Sequence, residues 1–302
     1  SLSSFFSGIL NSNNKFATAA AAPIILNIIL ILSLTISYFL NFNFAKQLSY
    51  GVTLAGVLQL LFIFYATLEF YKPSLIFKFK ITTKVKFFFK KLLPSILSSG
   101  VTQINILIGT IIASFESGAV SYLYYADRIY QINLAIAGIA VSTVSLPALS
   151  NAFKKNNTKK LSNIQNKSFE LCLLFSIPAS FGLILASEEI ISSLFGYGSF
   201  SKEDVKLTAD ALKYFGYGVP AFAIVKILSN FFFARDNTKT PFYISLTMVL
   251  INIFISVSLF SRLGFIIIPI ATSIATWIGV LIYIYFLNKK NFLLLNIKLI
   301  AS

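Results

Sequence analysis

Histidine is absent from this 302-residue chain, and cysteine and methionine occur once each. Without histidine there is no imidazole zinc site, no Ser–His pair and no histidine proton relay. A single thiol, Cys172, forms no disulfide within the chain and builds no metal cluster. Charged residues are only 12% of the total, about half the ~25% of a soluble domain. Arginine is scarcer still: of 25 basic residues only Arg128, Arg235 and Arg262 are arginine, so each stands out against a lysine background. No secretory signal, phosphate-cradling GxxxxGK[ST] or HExxH is present. The 10 acids fall mostly at helix ends and in loops, and no two share a membrane-embedded face. Such a chain moves or holds something; it is not an enzyme, and neither a cofactor nor a metal is expected.

What is there is apolar. Hydrophobic residues make up 57% of the chain, and its mean hydropathy is +0.81. They form runs of about 20, the length a helix needs to cross ~30 Å of hydrocarbon. One soluble core has no room for so many all-apolar helices. The expected fold class is an all-α integral membrane protein, a polytopic helical bundle. The runs predict helices at 17–40, 46–70, 92–115, 119–149, 165–195, 208–234, 241–260 and 264–288, with the tail of another at 1–12 and the start of one at 291–302. Pro73, Pro94, Pro241 and Pro269 lie near helix ends. Pro23, Pro147, Pro178 and Pro220 lie inside runs, where neighbouring groups must satisfy the freed carbonyls. The chain begins with Ser1 and its only methionine is Met248, so it reads as a piece of a longer protein.

The net charge of +15 suggests a nucleic-acid partner until the lysines are placed. They sit between apolar runs, in alternate loops. One set of loops carries Lys15, seven lysines within 72–91, five within 154–167, Arg235, Lys239, Lys289, Lys290 and Lys298. The other set carries Lys46, Lys202, Lys206 and Arg262. The positive-inside rule puts the first set in the cytoplasm. The segment 72–91 alternates lysine with aromatic and branched residues. It reads either as an amphipathic segment on anionic lipids, at about 1 kcal/mol per lysine, or as an ordinary positive-inside loop. Both readings put it at the membrane face, as a join between two bundles.

Charged groups inside the membrane are costly and face a bundle interior or a wet cavity. Along 122–145, Tyr124, Arg128, Gln131, Ala135, Gly138, Ser142 and Ser145 recur at steps of four and three, which predicts one polar and small face. Arg128 lies about 13 Å from the outer end, with Asp127 beside it. A guanidinium there suits a phosphate, which it grips with two parallel hydrogen bonds. The competing readings are an ion pair with another helix or snorkelling to the outer interface. Lys226, followed by Ser229 and Asn230, is either a cavity residue or a snorkelling lysine near the inner surface. Ser95, Ser98, Ser99, Thr102, Gln103, Thr110 and Ser114 form a stripe that either packs helices or lines a pore. Asn105, Asn252, Thr272 and Thr276 offer neutral oxygens for a sodium ion, or else hydrogen-bond helix to helix. With no histidine and Asp127 as the one clear intramembrane acid, a driving force from sodium or the membrane potential is expected rather than a proton relay.

The blocks YYADRIYQINLAIAGIAVSTVSLPALS (124–150), LFGYGSFSKEDV (194–205) and NFFFARDNTKTP (230–241), with FSGILNSNNKFATAAAAPIILNI near the start, resemble the MurJ/MviN family of bacterial lipid II flippases. The resemblance runs in order over nearly the whole chain. It implies a two-lobed, alternating-access transporter of MATE/MOP-like fold in the bacterial cytoplasmic (inner) membrane, monomeric, carrying lipid II. It implies a start late in the family's fourth helix and an end after the twelfth, so 1–71 belongs to the N-terminal lobe, 72–91 bridges the lobes and 92–302 is an incomplete C-terminal lobe. It further implies that Arg128 lines the central cavity, with Tyr124, Asp127, Gln131 and Lys226 as the other substrate-site candidates. The family's other cavity arginines lie in helices that precede this sequence. Rival expectations are a polysaccharide-lipid flippase or multidrug antiporter of the same superfamily, and a non-transporting membrane scaffold.

Overall fold

The computed structural model describes residues 2–13, 15–71, 83, 85 and 103–294. Among them the chain is helical throughout, in two compact units, Ser1–Thr82 and Thr83–Ser302. The predicted amphipathic segment 72–91 lies outside the described residues except for Thr83 and Val85, as do 92–102 and 295–302.

The first unit holds α1 (Leu2–Ser12), α2 (Phe16–Leu40) and α3 (Phe44–Thr67). Helices α2 and α3 approach closely because Gly51 and Ala55, four apart, present almost no side chain. A Cβ on Gly51 would clash with the Ser33 hydroxyl. Leu10, Ala22 and Ile63 form the small core, packed by Phe6, Ala19 and Ala66.

The second unit holds α4 (Gln103–Ala113), α5 (Ala119–Leu134), a π-helical segment (Ala135–Ala140), α6 (Val141–Lys154), α7 (Thr158–Leu185), α8 (Ser187–Phe195), α9 (Lys202–Phe233), α10 (Lys239–Leu263) and α11 (Ile267–Lys289). Among the described residues, six stretches are long and apolar enough to cross a membrane. The last, Lys239–Lys289, comprises α10 and α11. Helix α9 is the axis of this unit, buried on most of its length and packed by α5, α6, α7, α8 and α11. Leu212, Phe215 and Val219 anchor one core cluster, and Ile227, Leu228, Phe231 and Phe232 anchor the other. Its start is fixed by a capping box: Ser201 accepts from the Asp204 amide while Asp204 accepts from the Ser201 amide.

Among the described residues the predicted spans are recovered, with corrections. Lys202 and Lys206, expected in a loop, lie in the first turns of α9. The run 165–195 is two helices, broken at Ala186; Ser187, Glu188 and Glu189 open α8, where carboxylates favour the helix dipole. Lys159, Lys160 and Lys167 belong to α7, whose start is capped by the Asn157 side chain on the Lys160 amide. Arg262 ends α10 instead of lying in a loop.

The two ends of this unit differ in charge, as the alternate loops require. Residues of the α6–α7 turn, the α9–α10 turn and the segment after α11 line one cleft, and this is the lysine-rich end. At the other end, the Glu116 carboxylate accepts from the Phe265 amide at 2.7 Å, and Asp204 accepts from the Tyr122 hydroxyl at 2.7 Å.

Candidate functional site

Helix α5 presents its candidate residues in two couples, each an i,i+4 pair that a helix brings side by side. Arg128 Nη2 donates to the Tyr124 hydroxyl at 3.1 Å, and its guanidinium carbon lies 4.7 Å from the Tyr124 ring centroid. Gln131 Nε2 donates to Asp127 Oδ2. Asp127 also hydrogen-bonds Tyr130, whose ring stacks on Phe215 at 4.6 Å. The neighbours Asp127 and Arg128 therefore turn apart. Asp127 leans through Tyr130 toward α9, while Arg128 and Tyr124 are exposed on the surface of this unit. No described carboxylate forms an ion pair with Arg128.

The seven-residue face does not hold together. Tyr124, Arg128, Gln131 and Ala135 are exposed, whereas Gly138 and Ser145 are buried and Ser142 is half-buried. The cause is the π segment Ala135–Ala140. Its wider turn inserts about one residue into the 3.6-residue repeat, so the small residues beyond it swing onto α9. There Asn230 Nδ2 donates to the Ser142 carbonyl at 2.7 Å and lies 2.9 Å and 3.2 Å from the Ser142 and Ser145 hydroxyls. Gly138 meets Ala223. The inner half of the predicted stripe is helix-packing surface, and only its outer half is free to meet a ligand.

Lys226 is exposed on an α9 that is otherwise almost wholly buried over this half. Its carbonyl accepts from Ser229 at 2.8 Å. Its neighbour Asn230 is committed to α6. Of the stripe on 92–115, Ser95, Ser98, Ser99 and Thr102 lie outside the described residues. Gln103, Thr110 and Ser114 are exposed, and the two hydroxyls bond their own helix at Ile106 and Ile111.

Three of the four ion-site candidates come together between α10 and α11. Asn252 Nδ2 donates to Thr272 Oγ1 at 2.9 Å, Ser256 donates to Asn252 Oδ1 at 3.1 Å, and the Thr276 hydroxyl donates to the Thr272 carbonyl at 2.7 Å. Asn105, on α4, shares no hydrogen bond with them. As found, these oxygens hold two helices together. Ser256 is buried beside Asn252 and was missed, although its i,i+4 spacing from Asn252 on α10 was the signal that could have found it.

The family model for the lipid II flippase MurJ matches residues 1–301. This chain belongs to the lipid II flippase MurJ family. A probable lipid II flippase MurJ of Rhizobium meliloti (strain 1021) is 38% identical over 291 residues, covering 93% of this chain and 53% of that protein. One from Rickettsia prowazekii (strain Madrid E) is 38% identical over 289 residues, covering 94% and 56%. A solved lipid II flippase MurJ in an inward closed conformation matches with a TM-score of 0.81 at 29% identity, over 99% of this chain and 61% of that one. An inward-facing MATE multidrug transporter of the MOP superfamily matches with a TM-score of 0.77 at 16% identity, over 94% and 66%, which shows the shared fold alone. The chain thus spans about half the length of the MurJ relatives it matches, and it is a multi-pass membrane protein of MurJ type.

Proposed function

We propose that the full-length protein carries lipid II, a polyprenyl-diphosphate-linked disaccharide-peptide, from the inner to the outer leaflet of the bacterial cytoplasmic membrane by alternating access. It acts as a transporter in cell-wall synthesis, not as a catalyst, and works as a monomer. The observation that carries the reading to particular residues is the setting of Arg128. It is an arginine in a lysine-rich chain, exposed on α5, without an ion pair to any described carboxylate and braced from one side by the Tyr124 ring. An unpaired guanidinium held in one orientation supplies two parallel N–H donors to a diphosphate, which an ammonium contacts only as a point charge. Tyr124 positions it, Gln131 and Asp127 lie beside it as further polar contacts, and Lys226 supplies a second exposed cation on α9.

The experiment is Arg128→Ala and Arg128→Lys in the full-length protein, as the sole flippase of the cell. Loss of a charge-assisted hydrogen bond in a poorly solvated site costs about 1.5–3 kcal/mol, or roughly 10- to 150-fold in affinity. Arg128→Ala inserts normally but fails to support growth, and Arg128→Lys is partly defective. An Arg128→Ala protein that folds, binds lipid II with parental affinity and supports growth makes Arg128 structural. Binding of an unrelated cationic drug in place of lipid II favours the multidrug reading of the fold.

The driving force is either the membrane potential or sodium, and the two differ at Asn252, Thr272 and Thr276. A sodium site there requires the Asn252–Thr272 hydrogen bond to open. Transport by the full-length protein at fixed potential, with sodium replaced by potassium, separates them: a potential-driven carrier is indifferent to the exchange.

A further inference from the structure

At the lysine-rich end of the second unit, three separate chain segments line an open cleft of about 260 Å³. Asn156 and Thr158 come from the α6–α7 turn, Arg235 from the α9–α10 turn, and Lys290 and Asn291 from the residues that follow α11. The walls are tied together. Gln165 of α7 donates to the Phe292 carbonyl at 2.9 Å and accepts from the Leu294 amide at 2.8 Å, and Ser162 donates to the Leu294 carbonyl at 2.6 Å. The segment after α11 is thereby strapped onto α7, closing one side of the cleft.

Arg235 is the centre of this arrangement. Its guanidinium carbon lies 4.5 Å from the Phe292 ring centroid and 5.4 Å from that of Phe153. Nη1 donates to the Phe231 carbonyl at 2.6 Å and Nη2 to the Phe292 carbonyl at 3.3 Å. Two of its five N–H groups are thus used in holding the walls. Half-burial lowers its pKa from the ordinary value because the charge is desolvated. Lys290 reaches the same cleft, 3.1 Å from the Thr240 hydroxyl. Among the described residues neither cation has an ion-pair partner. The turns and helix ends around them add Lys154, Lys155, Lys159, Lys239 and Lys289 against one acid, Asp236.

A partly desolvated guanidinium that lacks a counter-ion is costly unless an anion joins it, and the exposed Lys290 ammonium at the same cleft adds to the attraction. The cleft is far larger than the ~30 Å³ share of one water. It offers the remaining guanidinium donors, an ammonium, a hydroxyl and two carboxamides, with aromatic rings at its edge. Donors of that kind match the oxygens of a phosphate. We propose that this cleft binds a phosphate ester at the lysine-rich membrane face, separate from the residues of α5 that contact transported lipid. Two sources share the chemistry: the headgroup of an anionic phospholipid and a soluble phosphate ester.

The test measures thermal unfolding of the full-length protein, since a ligand that binds only the folded state raises the midpoint. Three conditions are compared: phosphatidylcholine nanodiscs, phosphatidylglycerol nanodiscs, and phosphatidylcholine nanodiscs titrated with glycerol 3-phosphate. Lys290→Gln removes one cation. Asn156→Asp puts a negative charge in the cleft without touching the strap, at a positive-φ position that aspartate tolerates. A midpoint raised by phosphatidylglycerol alone assigns the lipid headgroup, and one raised by glycerol 3-phosphate as well assigns a soluble ester. In either case both variants must weaken the effect, with an apparent affinity lower by roughly tenfold or more. A midpoint indifferent to both anions overturns the proposal, and so does an effect that survives in Lys290→Gln and Asn156→Asp at parental strength.

Discussion

The Ser180 hydroxyl of α7 donates to the Gly216 carbonyl of α9 at 2.7 Å. Gly216 stands four residues before Pro220, whose nitrogen has no proton to return to it. A neighbouring helix therefore supplies the bond that the proline removes, as an apolar surround requires. Helix α11 also donates to α9 carbonyls, at positions whose own helical amides remain. Ser273 donates to the Tyr214 carbonyl at 2.8 Å and the Trp277 indole to the Tyr217 carbonyl at 3.0 Å.

Ser180→Ala is expected to destabilise the folded state by about 1–2 kcal/mol, because it strands a buried carbonyl. In a Pro220→Ala background the Gly216 carbonyl regains a helical amide, and the same substitution costs less. Thermal unfolding of the four proteins of this double-mutant cycle measures the difference. Equal costs in both backgrounds show that the hydroxyl does not compensate the proline.

Gly138 lies in the π segment against α9. A Cβ there would stand 3.1 Å from the Ala223 Cα and 3.0 Å from Leu134 Cδ1, and the backbone atom has nowhere to go. Gly138→Val is expected to cost about 1–3 kcal/mol by overpacking and to lower the unfolding midpoint. Ala140→Val, two residues on and exposed, should leave the midpoint close to the parent value.

The charge split places Asn157 in the cytoplasm and Ser199 outside. The native thiol, Cys172, is buried. In a Cys172→Ala background, an impermeant maleimide added to intact cells should label Ser199→Cys and spare Asn157→Cys until the membrane is opened. The reverse pattern inverts the topology of the whole chain.

Tyr124 braces Arg128 by its ring and by its hydroxyl. Tyr124→Phe keeps the ring and loses the acceptor, so lipid II affinity should fall by less than about tenfold, the scale of one neutral hydrogen bond. Tyr124→Ala loses both and should approach the Arg128→Ala defect. Binding titrations of the purified full-length variants give the order. Tyr124→Phe as severe as Arg128→Ala assigns lipid contact to the phenol itself.

The sequence by itself determined the membrane-spanning class and the approximate spans, predicted their sidedness, and singled out Arg128 as an arginine within a span. These follow from local quantities: apolar run length against bilayer thickness, lysine counts in alternate loops, and a scarce residue type in a conspicuous place. The break at Ala186 was also legible in Ser187, Glu188 and Glu189, which mark a helix start that the continuous apolar run concealed. What only the tertiary structure decided is where each helix face points. The 3.6-residue repeat assumed for 122–145 fails at the π segment, so Gly138, Ser142 and Ser145 went to α9 while Tyr124 and Arg128 remained exposed. Likewise, only packing revealed that Asn252 and Thr272 bond each other, that Ser180 answers Pro220, and that Arg235 and Lys290, 55 positions apart in the numbering, share a cleft. The physical reason is that hydropathy is summed along the chain, whereas an extra residue in a helical turn, or a polar group's partner, is set by a helix tens of residues away.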